Sequence, residues 1–150
     1  MSLDLALMIT VRWLSLAMLM QGIELLIISR RADFLSVWCW ENLREELQAG
    51  LPFPNALIAK VFSVSGFQII SVTQILMAVF GIIYPHSSTI FIVLFVTHLL
   101  TCIRFRGTFN GGSDMMTFVV LTGVIISLAS SENKIQQLGL IYITIHSIYS

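Results

Sequence analysis

Charge is what this chain has least of. Only 11% of its 150 residues are Asp, Glu, Lys or Arg, against roughly 25% in soluble domains. A water-soluble fold of this size has more surface than so few charges can cover. Eight basic side chains balance eight acidic ones. That zero net charge lacks the basic footprint of a nucleic-acid-binding domain, so no nucleic-acid partner is expected. Two cysteines, Cys39 and Cys102, are too few for a disulfide framework. No internal repeat or low-complexity tract is present. The first apolar run has no basic region before it and no evident cleavage site, and it is too long for the core of a cleavable signal.

What the chain does have is apolar sequence: 57% hydrophobic residues and a mean hydropathy of +0.91. The expected class is an all-α integral membrane bundle, one domain over residues 1–150, with the lipid bilayer as its solvent. Four full spans are expected at 5–28, 58–84, 88–104 and 114–130, with a partial fifth at 137–150. The first run reaches about 36 Å as a helix, while the last reaches only about 21 Å against a hydrocarbon core of about 30 Å. A partial span leaves carbonyls without partners in lipid, so it is expected to be covered by protein or bent to the surface. Arg30 and Arg31 stop the first run, and Pro85 closes the second.

With the N-terminus outside, Arg30, Arg31, Arg44, Lys60, Arg104 and Arg106 fall on the inner side, and Lys134 alone falls in an outer loop. That bias sets the expected orientation, in a bacterial inner membrane. The long segment after the first span carries an expected interfacial helix at 36–49. Its Val37, Trp40, Leu43 and Leu47 form an apolar stripe opposite Glu41, Arg44, Glu45 and Glu46. It reads as a connector on the membrane surface or as a docking surface for a partner.

Polar groups inside spans need partners. Arg12 and Glu24 cannot pair with each other, being about 18 Å apart along one helix and about 120° around it. Arg12 reads as snorkelling outward or meeting backbone carbonyls. Gln21 and Glu24 share a face. Counting depth from the inner boundary adds Gln68 and His98, giving an expected cluster of Gln21, Glu24, Gln68 and His98. Such a cluster holds helices together, or forms a proton path or substrate pocket. His98 and His146 fall at one level, as the axial ligands of a b-type haem would. Nothing else in the sequence specifies a porphyrin, so that cofactor is not favoured and the cofactor stays unassigned. No metal site is expected, and Cys39 and Cys102 read as two inert thiols on a reducing face.

The stretch "RFRGTFNGGSDMMTF" interrupts the apolar sequence. Asn110, Gly111 and Gly112 allow a sharp turn, and Ser113 or Asp114 caps the next helix. Three readings stay open. The stretch is a plain corner. Or it is an anion or lipid-phosphate site made by Arg104, Arg106, Asn110, Gly111, Gly112 and Ser113. Or it is an active-site loop, with Asp114, Glu24 and His98 as the catalytic candidates.

Three segments resemble the HTTM family, bacterial relatives of the membrane part of vitamin K-dependent gamma-carboxylase. "ALMITVRWLSLAM" is similar to the family's early arginine-bearing helix, here with Arg12. "RFRGTFNGGSDMM" resembles its Asn-Gly-Gly-Asp corner, here Asn110, Gly111, Gly112 and Asp114. "LGLIYITIHSIYS" resembles the start of a later helix that usually carries Gln where this chain has His146. Family chains run longer, through a "YF.AG..K" segment. The resemblance therefore implies an N-terminal half that is incomplete alone, acting with a partner chain or a missing second half in peptide modification or maturation. No lysine here matches a catalytic base, so the chain alone leans away from being an enzyme. Two alternatives are a small structural subunit of a larger membrane complex and a DoxX/MauE-like redox-associated membrane protein, though the cysteine-rich turn usual in the latter is replaced by "NGGSD".

Overall fold

The computed structural model describes residues 3–31, 45, 54–105, 111–130 and 132–149. Among these every regular element is helical: α1 (Leu3–Ile28), α2 (Asn55–Phe62), α3 (Val64–Ile83), α4 (Ser88–Arg104), α5 (Gly111–Leu128) and α6 (Asn133–Tyr149). The expected interfacial helix at 36–49, Cys39, Arg106 and Asn110 lie outside the described residues or in segments only partly described. The coarse class is thus all-α.

Local chemistry sets where the helices stop. At the end of α1 the Ser29, Arg30 and Arg31 amides donate to Leu25, Ile27 and Ile28 carbonyls, winding the last turn down. α3 ends ahead of Pro85, which cannot continue a helix, and a tight turn follows in which the Ser87 amide donates to the Tyr84 carbonyl. One expected span is broken. Ser63 sits between α2 and α3, with its backbone extended, and its Oγ accepts from the Gly66 amide at 3.1 Å, capping α3. Gly66 makes the break compact: a Cβ there would overlap the Lys60 and Val61 carbonyls of α2.

α1 packs most extensively on α3 and α5 on α6, with α4 between α3 and α5. Leu7, Val11, Leu14 and Met18 of α1 meet Ala78, Phe91, Leu94, Leu121 and Val124 in the main core. Small residues let the helices close. Gly22 lies against Ile75 and Ser71, and Gly81 against Ser15 and Phe91. At the α5–α6 crossing Gly139 faces Gly123 and Ser127, and the Ser127 hydroxyl donates to the Gln136 carbonyl at 3.2 Å. Small-residue contacts and side-chain hydrogen bonds of this kind dominate helix association where apolar burial drives little.

Large apolar side chains also line much of the exterior. Ile9, Trp13, Leu16, Met20 and Ile27 line the outer face of α1, and Ile69, Leu76, Val79 and Ile83 that of α3. The outer faces of α4 and α6 continue this surface with Ile92, Val96, Leu138, Ile141, Ile145 and Ile148. Meanwhile Ser71, Gln74, Thr97, His98, Thr101 and Arg104 are buried. Monomeric soluble proteins rarely expose contiguous apolar patches beyond a few hundred Å². α1 and α3 are long and apolar enough to cross a membrane; α4 and the apolar part of α5 are shorter.

The two ends of the bundle differ. Asp4, His86, Ser130 and Gln136 share one small cavity, which puts the start of α1, the α3–α4 turn and the α5–α6 turn at one end. Arg31 and Asp114 share a larger cavity, which puts the end of α1 and the start of α5 at the other, basic end.

Candidate functional site

Polar chemistry concentrates at the basic end. α1 contributes Gln21 and Glu24 at helical spacing, the turn after it contributes Arg31, and α5 contributes Asp114 and Thr117 from its first turns. Together with Ala17, Met18, Met20, Ile23, Ile27 and Ile28 they line a cavity of about 720 Å³. The lining carries two carboxylates, a guanidinium, an amide and a hydroxyl, and the rest is apolar. Such a cavity suits an amphiphile with a polar head, not a wholly apolar guest.

Behind Asp114 lies a second group. His98 of α4 is fully buried, with its Nε2 3.3 Å from the Asp114 main-chain carbonyl and its ring 4.6 Å from that of Phe118. Cys102 follows His98 by one helical turn, and its Sγ lies 3.8 Å from His98 Nε2. Donor atoms of His98, Cys102 and Asp114 all fall within 4.8 Å of one another. Asp114 is only 6% exposed and joins the two groups: it lines the cavity and stands beside the imidazole.

Arg104 sits apart from the cavity. It is fully buried, its Nη1 donates to the Phe62 carbonyl, and its guanidinium lies 5.0 Å from the centre of the Phe67 ring. The carbonyl is one that α2 leaves open at its C-terminus, so the arginine joins the end of α4 to the α2–α3 break. Gly111, Gly112 and Ser113 belong to the first turn of α5, so the helix begins earlier than expected and neither Ser113 nor Asp114 is its N-cap.

The expected polar cluster is brought together in part. Gln21 and Glu24 share the cavity, and His98 adjoins it through Asp114. Gln68 lines neither group. The residue that reaches Gln21 is Gln74, fully buried on α3, whose Nε2 donates to Gln21 Oε1 at 3.1 Å and to the Met18 carbonyl at 3.0 Å. Depth counting places a residue at a level but not on a face. Six residues separate Gln68 from Gln74, a rotation of about 240° at 100° per residue. Cys102, read from the sequence as an inert thiol, stands beside His98, and its spacing of four from that residue is the signal that links them. His146 is exposed on α6, its Nδ1 2.9 Å from the Tyr142 carbonyl and its ring stacked near Tyr142. Arg12 is exposed on α1.

No family model matches the chain, and no curated protein or solved structure matches it either. The functional reading therefore rests on this geometry and on the residues themselves.

Proposed function

We propose that the chain is an HTTM-like module embedded in a membrane by four crossings, α1, α2–α3, α4 and α5, with α6 as a further partial one. Its N-terminus is outside, and its basic end faces the cytoplasm of a bacterial cell. The module holds the polar end of a peptide or lipid-like substrate in the cavity between α1 and α5, and it acts with a partner chain in modifying or maturing that substrate. The observation that carries this reading is the pairing of an apolar exterior with one cavity at the basic end that gathers Gln21, Glu24, Arg31 and Asp114. Arg30, Arg31, Lys60 and Arg104 at that end, against Lys134 at the other, support the orientation. The resemblance of the Asn110–Asp114 corner and of the first helix supports the family and the need for a partner.

Copurification from native membranes in mild detergent tests it. The expected result is a stable complex with a second polypeptide that modifies its substrate only when both chains are present. Glu24 is exposed to the cavity. Glu24→Gln is therefore expected to change stability by no more than about 0.5 kcal/mol, as for other exposed positions, while lowering substrate binding at least tenfold. A chain that stays monomeric and carries out a reaction alone would replace the module by a self-sufficient enzyme. Equal binding by Glu24→Gln would remove the cavity from the account.

A further inference from the structure

His98 is an unusual core histidine. It is fully buried, and among the described residues its Nδ1 has no hydrogen-bond partner, while its Nε2 makes a 3.3 Å contact to the Asp114 carbonyl and a weak 3.8 Å contact to Cys102 Sγ. A buried imidazole kept merely for packing would be expected to satisfy both nitrogens. At its other nitrogen, Nε2, a thiol and a carboxylate converge inside the bundle, with donor atoms of all three side chains within 4.8 Å, a set of ligand types that a cation would bring together.

We propose that His98, Cys102 and Asp114 form a metal site of the zinc type, through His98 Nε2, Cys102 Sγ and one Asp114 carboxylate oxygen. His98 and Cys102 are fixed relative to each other by one turn of α4, and Asp114 is delivered by the first turn of α5. A tetrahedral zinc with ligand bonds of about 2.0–2.3 Å separates its donors by roughly 3.3–3.8 Å. The Sγ–Nε2 separation of 3.8 Å already meets this, and the donor atoms of the three side chains all lie within 4.8 Å of one another, so the remaining closure on binding is at most about 1.5 Å. An imidazole, a thiolate and a carboxylate together suit zinc better than magnesium or calcium, which take oxygen ligands. Binding transfers the thiol proton to water, and the imidazole coordinates in its neutral form. Three protein ligands leave a fourth position for a water molecule, the pattern of a reactive zinc and not of a closed structural one. Asp114 is also a wall of the larger cavity, so the metal stands one side chain from whatever occupies it. The site goes beyond the module reading and does not depend on it.

The test uses the full chain in detergent, stripped with a chelator and titrated with Co²⁺, then with Zn²⁺. The expected result is one equivalent of bound Co²⁺, with the intense visible absorption of a tetrahedral complex and a thiolate-to-cobalt charge-transfer band, both erased by Zn²⁺. Cys102→Ser should abolish the charge-transfer band and weaken binding at least tenfold. Asp114→Asn and His98→Ala should weaken it similarly. His86→Gln and His146→Gln alter exposed imidazoles and should change nothing. Zinc should also raise the melting temperature of the wild-type chain but not that of Cys102→Ser. Absence of the charge-transfer band in the wild-type chain overturns the site whatever the variants do. So does a band that survives Cys102→Ser, or binding that is lost with His86→Gln or His146→Gln.

Discussion

Arg104→Ala is expected to destabilise the bundle by about 2–4 kcal/mol, the sum of a charge-assisted hydrogen bond and a desolvated cation–π contact. The side chain is fully buried, donates to the Phe62 carbonyl and lies over Phe67. Phe67 in turn makes an edge-on contact with Phe105, with ring centres 5.6 Å apart, and both pack with Leu25. Truncation therefore strips a donor from a helix-end carbonyl and opens a void among α1, α3 and the end of α4. Lysine would keep the charge but lose the planar group that lies over the ring, so Arg104→Lys should recover only part of the loss. Unfolding by a denaturing detergent, followed by circular dichroism, reads both variants. An Arg104→Ala protein as stable as the wild type would mean that the guanidinium is not what ties α4 to the α2–α3 break.

Gly139→Leu should have an effect of similar size by the opposite means. Even a single Cβ at Gly139 would overlap the Ser127 hydroxyl, and it would also meet Gly123 and Ser127 backbone atoms that cannot rotate aside. The larger side chain must push α6 off α5, breaking the hydrogen bond from Ser127 to the Gln136 carbonyl. Overpacking of this kind costs about 1–3 kcal/mol and sometimes more. Because the clash is with backbone, the upper part of that range is expected. Limited proteolysis should show it directly, with cleavage within α6 rising well before the rest of the bundle is cut. Unchanged protease resistance would mean that the α5–α6 crossing is wider than described.

Much of the helix arrangement is legible in the sequence, because it follows from where an apolar run meets something that cannot continue it. Arg30 and Arg31 end the first helix and Pro85 separates the third from the fourth, whereas Gly111 and Gly112, read as a turn, are the first residues of the fifth. The break at Ser63 is less legible. Nothing in the hydropathy of residues 58–84 changes there, and only the Ser63–Gly66 pair, a cap and a glycine three residues on, marks it.

The site divides in the same way. Gln21 and Glu24 could be joined by helical spacing, since both lie on α1. Linking them to another helix required the rotation of that helix about its own axis, which depth does not supply. Hence Gln74 takes the place expected for Gln68. Arg104 shows a further limit. An arginine at a predicted span boundary reads as an interfacial charge, and only the packing of α2 and Phe67 around it reveals a buried one.

The central claim is that lipid surrounds the bundle, with the basic end inside and the α3–α4 and α5–α6 turns outside. It is tested most directly by labelling single cysteines in intact cells with a membrane-impermeant maleimide, in a chain whose Cys39 and Cys102 have been replaced by serine. His86, Lys134 and Arg30 are all exposed positions. The account predicts that His86→Cys and Lys134→Cys react from outside, while Arg30→Cys reacts only after the membrane is opened. Labelling of all three from the same side, or recovery of the chain in the soluble fraction without detergent, would contradict it.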